Sequence, residues 1–232
     1  MEKQELLSIG DLNVWYTEGT PVLNHFSMDL FRNEVVGLIG LNGAGKTTLI
    51  KTVSGLLTSF EVRELHWCGK PFSFRDNSFR KSRYAVFAED RSFSCFTFRE
   101  YLAYAAKSYG REPENMDELA KGFHFEEYAD VLMKELSTGN RKKAYLIAAF
   151  ALHPELLLLD EPVNGLDFQS TEFLYRMIND YRSYGTVLFS SHILESICLT
   201  SDRVLVLEHG RIGNSFSGDG IRAETIREVL GE

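Results

Sequence analysis

Cysteine is scarce and scattered: Cys68, Cys95 and Cys198 lie far apart, and none belongs to a C-x-x-C pair. That spacing supports neither a disulfide framework nor a zinc site, and it points to a reducing cytosol. Positive charge is also in deficit. Against 33 acidic residues stand 25 Lys and Arg, a net charge of -8, which argues against nucleic acid as a partner because a broad footprint on it needs a basic face. Long apolar runs are missing too. The most apolar stretches, AYLIAAFAL and ELLLLDEP, fall far short of the roughly 20 residues that span a bilayer. The opening MEKQELLSIG carries an acidic mixture and no apolar signal core. The chain is therefore read as soluble on its own, so any work at a membrane requires another chain to supply the spanning part. Repeats, low-complexity segments and long coiled coils are absent as well.

What remains is a chain of 232 residues, suited to one large domain or to a domain with an inserted subdomain. Alternating apolar and polar residues over positions 6–40, broken by TEGTP and FRNE, predict two or three strands. VVGLIG is continuously apolar, as a strand buried on both faces would be. A helix is expected over KTTLIKTVSGLL, and a mixed β region over residues 62–87 with CGKP as a turn. From about residue 97 to 134 the pattern becomes amphipathic. Three short helices are expected there, over TFREYLAYAAKSYG, ENMDELAKGFHF and FEEYADVLMKEL. The chain then returns to α/β alternation: a helix over 142–152, the strand ELLLLDEP, the helix STEFLYRMINDYRSYG, the strand TVLFSSH, a helix from Ile193 and the strand DRVLVLEHG. This order predicts an α/β fold with a parallel-sheet core and a helical insertion.

Three elements carry chemistry. GLNGAGKTT fits G-x-x-x-x-G-K-[ST], with Gly40, Gly45, Lys46 and Thr47 at the fixed places. In such a loop the amides of Asn42, Gly43, Ala44 and Gly45 turn inward around phosphate oxygens. Lys46 reaches the β- and γ-phosphates, the Thr47 hydroxyl ligates Mg²⁺, and Thr48 helps to hold the phosphates. LLLLDEP places Asp160 at the end of a buried strand, where ligand sites of α/β proteins lie, to hold Mg²⁺ through water. Glu161 follows as a general base for the attacking water. His192 ends the strand TVLFSSH and is placed to donate to the γ-phosphate. A fourth stretch, ELSTGNRKK, reads two ways. Ser137 or Thr138 can cap the following helix, or the same helix start can attract an anion.

Together these residues resemble the ATP-binding subunits of ABC transporters. The order is GLNGAGKTT (Walker A), LSTGN (signature), LLLLDEP (Walker B), NGLD (D-loop) and SSH (H-loop). The resemblance runs from Leu12 to about Ile212. It implies a P-loop NTPase (RecA-like) core with an antiparallel β subdomain and an inserted α-helical subdomain. The whole of 1–232 is then one ATPase domain, with a core of about 1–92 and 138–232 and an insertion of about 93–137. It further implies ATP and Mg²⁺ as cofactors and a homodimer or pair of ATPase subunits. Ser137 and Gly139 of one subunit would meet the ATP held by Lys46 of the other. Tyr16, with Trp15 as competitor, stands where an aromatic stacks on adenine, and Asp167 would shape the subunit interface. The membrane partner would be an integral permease, with the chain peripheral on the cytoplasmic face.

Two positions depart from the family's usual pattern. Glu89 occupies the place of a Gln that touches Mg²⁺. It is read as functional, both a metal ligand and a member of the catalytic set, because export-type members carry Glu there. The signature has Thr138 and Asn140 in place of Gly and Gln. Phe93, Phe96 and Phe98 are either the core of the insertion or the lining of a groove for a permease helix. The stretch after the last strand, SGDGIRAETIREVLGE, is expected to be too short for a regulatory domain. Two rival functions stay open on these residues: an ABC-type ATPase serving soluble partners such as an Fe–S assembly complex, and a non-hydrolysing ATP-binding scaffold. Lys46, Asp160, Glu161 and His192 argue against the scaffold.

Overall fold

The computed structural model describes residues 4–231. Two long strands open the chain, β1 (Glu5–Thr17) and β2 (Thr20–Phe31), paired antiparallel through the turn between them. With β4 (Phe60–Trp67) and the short β5 (Lys70–Pro71) they form a four-stranded sheet in the order β2-β1-β4-β5. The second sheet has six strands: β3 (Val35–Ile39), β6 (Arg83–Val86), β7 (Leu156–Asp160), β8 (Thr186–Ser190), β9 (Arg203–Glu208) and β10 (Arg211–Ser217). Their order is β10-β9-β3-β8-β7-β6, parallel throughout except for the antiparallel edge strand β10.

The continuous apolar runs have a simple physical role. Successive side chains of a strand point to opposite faces, so each central strand feeds two cores. Val36 and Leu38 of β3, with Leu156 and Leu158 of β7, pack toward α1 (Lys46–Val53) and the antiparallel sheet. Val35, Ile39, Leu157 and Leu159 pack on the other face. There they meet α5 (Thr138–Ala151) and α6 (Phe168–Asp180). A strand covered on both faces needs no polar alternation, which is why VVGLIG and LLLL read as unbroken.

The insertion contains α3 (Phe98–Tyr109) and α4 (Met116–Gly122). Helix α3 starts with a capping box, in which the Thr97 hydroxyl accepts from the Glu100 amide and the Glu100 carboxylate accepts from the Thr97 amide. The third helix expected here, over FEEYADVLMKEL, does not form. Only a single 3-10 turn at Glu126–Tyr128 is present. Its downstream amides are taken by another segment: Met133 donates to the Phe96 carbonyl and Lys134 to the Ser94 carbonyl. Tertiary hydrogen bonds outcompete a short helix whose nucleation is costly.

Three smaller differences follow the same logic. A helix not expected from the β-rich pattern, α2 (Asn77–Ser82), precedes β6. Helix α5 begins four residues before Lys142, because Ser137 caps it. Beyond α7 (Leu194–Thr200) and the sheet edge, the final stretch forms the helix α8 (Ala223–Leu230), which buries Ile226. Among the described residues, no helix is long and apolar enough to cross a membrane. Phe98 is buried, and Phe93 and Phe96 pack on the core beside it with ring centroids 5.6 Å apart. The core reading therefore holds for Phe98, while Phe93 and Phe96 are half-buried.

Candidate functional site

Neighbouring strands bring the chemistry together. Leu38 pairs with Ser190, and Ser190 pairs with Asp160, so the C-terminal ends of β3, β8 and β7 lie side by side. The loop after β3 leads into α1 through Gly45, whose φ of 112° is closed to ordinary L-residues. The first amides of α1 are thereby turned toward an open cleft of about 580 Å³. Tyr16, residues 42–48, Glu161, Asn164 and His192 line this cleft.

Within the cleft the polar groups form one connected set. The Thr47 hydroxyl donates to both Asp160 carboxylate oxygens, at 3.0 Å each. Asp160 is buried, and Oδ1 also accepts from the Ser190 hydroxyl at 2.8 Å. That hydroxyl in turn accepts from the Glu161 amide at 2.9 Å. The Glu161 carboxylate lies 2.8 Å from His192 Nδ1. A carboxylate only accepts, so Nδ1 carries the proton. The Lys46 ammonium donates to the Gly40 carbonyl at 2.6 Å. Burial lowers its pKa, while Glu161 and Asp160 oppose that shift. Thr47 and Asp160 offer the hard oxygens that suit Mg²⁺, an ion that usually keeps waters and shares phosphate ligands. The donor set therefore fits the ion.

A Tyr stands at the rim of the cleft. Tyr16 lines the cleft, is 58% exposed, and reaches the Thr48 hydroxyl at 3.3 Å. Trp15 is not among the lining residues.

Four expected residues lie outside the cleft. Ser137 caps α5, its hydroxyl accepting from the Asn140 amide at 3.1 Å. Gly139 packs so tightly on the Gly165 carbonyl that a Cβ would overlap it. Asp167 caps α6 and pairs with Lys143 at 2.6 Å. Burial pulls the Asp167 carboxyl upward, but its bonds from Lys143 and Ser170 more than reverse this and hold it well below the usual carboxylate range. Glu89 is exposed and borders a separate small cavity with Asp90, Thr138, Arg141, Lys142 and Tyr145. The larger depression between α4 and α6, of about 850 Å³, holds neither a phosphate loop nor this carboxylate pair.

A sequence model of the family described as "ABC transporter" matches residues 23–164. The chain belongs to that family. Among relatives of the ABC ATP-binding chain, Bacillus subtilis (strain 168) has AlbC, 34% identical over 215 residues, covering 89% of this chain and 90% of that protein. The same organism has the SkfA peptide export ATP-binding protein SkfE, 30% identical over 213 residues, covering 90% and 87%. A solved structure described as the ATP-binding subunit of an ABC transporter superposes with a TM-score of 0.82 at 29% identity, covering 97% of this chain and 93% of that one. The phosphate loop, the Asp160–Glu161 pair and His192 thus sit in an ABC-type ATP-binding subunit. Sequence reasoning missed Asn164 and Ser190. Both lay in quoted motifs, NGLD and SSH, whose other residues drew the attention. It also missed Lys142 and Lys143, which end the ELSTGNRKK stretch and are buried to 3% and 5% exposure.

Proposed function

We propose that this ABC subunit is a Mg²⁺-dependent ATPase that works as a head-to-tail pair and drives a separate integral membrane permease from its cytoplasmic face. The observation that carries this reading is the Glu161–His192 contact in the cleft that Thr47 also lines, with Asp160 bonded to Thr47. Phosphates would seat on the amides of residues 42–48, with Lys46 exchanging its backbone carbonyls for phosphate oxygens and Tyr16 against adenine. Glu161 would take the proton of the attacking water, and His192 would hold that carboxylate and face the γ-phosphate. Magnesium, when bound at Thr47 and Asp160, would neutralise charge on the phosphoryl group.

Pairing is supported by Ser137 and Gly139, which lie outside their own chain's cleft. Asp167, on the same side as Gly139, would shape that interface. The Glu89 role in metal contact and catalysis belongs to the closed pair. The exporter form is favoured because Glu89 stands in the Gln place and a relative is named for peptide export. The test is single-turnover hydrolysis by wild type and Glu161→Gln. Turnover should fall by about 10²-fold or more in the variant, with ATP binding retained. Equal rates would refute the assignment, and so would a wild type that binds ATP without cleaving it.

A further inference from the structure

Glu161 has an unusual backbone for the residue that bears the reacting carboxylate. Its φ is +48°, in the left-handed region, which costs a non-glycine residue about 1–3 kcal/mol and persists only where surrounding contacts enforce it. The contacts that enforce it are identifiable. The Glu161 amide is fixed from β8 by the Ser190 hydroxyl. The Glu161 carbonyl is fixed from two sides, by the Asn164 amide at 3.3 Å and by the Lys142 ammonium at 3.2 Å.

Lys142 is not an ordinary member of its helix face. It is 3% exposed and sits among the buried residues of α5, with Tyr145 and Leu146 close along the chain. Charge buried in this way is costly unless paired, and a packed apolar side chain is often cheaper. Its hydrogen bond goes to a backbone carbonyl and not to a carboxylate. Three acidic groups surround it without bonding it: Asp160 and Glu161 from the end of β7 and Asp90 from the segment after β6. Nothing in the phosphate-binding set described above uses Lys142.

We infer that Lys142 is a positioning residue for the hydrolysis reaction: from α5 it holds the Glu161 carbonyl, keeps that residue in its left-handed turn, and so aims the carboxylate at the attacking water. The inference rests on the ATPase reading for its kinetic consequence, and on Glu161 geometry alone for its structural one. Removing the ammonium leaves the carbonyl with only the long bond from Asn164. The turn can then relax toward ordinary φ and swing the carboxylate away from His192.

The experiment compares Lys142→Met, which keeps the stem and loses the donors, with Lys142→Arg, which keeps a charged donor. In the full chain, kcat for Lys142→Met should fall by roughly 10–100-fold, the penalty expected for a misplacement of about 1 Å, while ATP affinity stays within about twofold because the phosphate loop is untouched. Lys142→Arg should recover a large part of kcat. Hydrogen exchange supplies a readout independent of turnover: the Asn164 amide should lose protection in Lys142→Met, while the amides of β7 keep theirs. An undiminished kcat in Lys142→Met overturns the inference. So does a joint fall of kcat and affinity that Lys142→Arg does not repair, since that marks a merely structural lysine. Unchanged Asn164 protection overturns it as well, even if the wild type shows no turnover, a result that would itself count only against the ATPase reading.

Discussion

Gly139→Ala sets two physical effects against each other with opposite signs. Gly139 lies in the first turn of α5, where helix propensity alone favours Ala over Gly by up to about 1 kcal/mol. Against this stands the approach of Gly165. An added Cβ falls well inside 3.0 Å of the Gly165 carbonyl oxygen, a separation real Cβ atoms essentially never show. The obstacle is backbone, so the loop or the helix must retreat by roughly half an ångström or more, and overpacking of this kind costs about 1–3 kcal/mol. The clash therefore outweighs the propensity. Gly139→Ala should unfold at a lower urea concentration than wild type, with a net loss of about 1–2 kcal/mol.

The functional consequence is sharper, because Ala keeps the backbone amide. A signature that needed only that amide would tolerate the change. A signature whose Ser137 and Gly139 are set by contact with the Gly165 loop would not, and kcat should drop roughly 10- to 100-fold on the scale of sub-ångström to 1 Å misplacement. ATP binding to the isolated chain should be unaffected, since Gly139 is not among the residues lining the cleft. Thr138→Ala is the control: Thr138 is exposed, and such a change should stay within about 0.5 kcal/mol. A Gly139→Ala protein as stable as wild type and with undiminished turnover would show that the two loops do not hold each other.

Two further outcomes follow from side chains remote from the reaction. Arg83 is buried, lies 4.7 Å from the Phe79 ring centroid, and donates to the carbonyls of Val53, Ser54 and Phe74, the first two at the end of α1. Burial pulls its pKa down from the ordinary arginine range to about 10, so carrying its charge inside costs about 3 kcal/mol at 1.36 kcal/mol per pKa unit. Arg83→Met removes that cost but orphans three carbonyls at about 1–3 kcal/mol each. The net loss should be about 3 kcal/mol, or a melting point lower by roughly 6–12 °C; an unchanged melting point would refute the capping role. Asp167 gives a pH signature. Its carboxyl is depressed in the folded chain, so its contribution to stability is complete above its unfolded value of about 3.9 and is lost as the pH falls through the lower folded value. The melting-point lead of wild type over Asp167→Asn should be present at about pH 5 and shrink below about pH 4; a constant lead would refute the pairing with Lys143.

Much of this protein was legible in its residues because the information is local. A phosphate loop is a matter of glycines at fixed offsets before Lys46 and Thr47. Buried strands announce themselves through unbroken apolar runs, and a strand's last residues lie at the sheet edge where ligands bind. Those facts alone brought Lys46, Thr47, Glu161 and His192 to one cleft, with Asp160 bonded to Thr47. The helix expected at 125–136, which does not form, and the unexpected α2 mark the limit of local reasoning. Periodicity cannot register that the amides of Met133 and Lys134 find partners in the turn before α3.

Residue order is enough for the chemical inventory: the loop, the carboxylate pair, the histidine, and the family to which their order belongs. How that inventory is held depends on the packing of distant elements. The left-handed turn at Glu161, the lysine behind it, the tyrosine at the rim in place of its tryptophan neighbour, and the glycine-to-glycine contact between signature and D-loop are long-range relations. Each depends on which elements pack together, and the residue types themselves do not announce it. A buried Lys142 reads in the sequence as one more charge in ELSTGNRKK, because burial is a property of the fold and not of the residue.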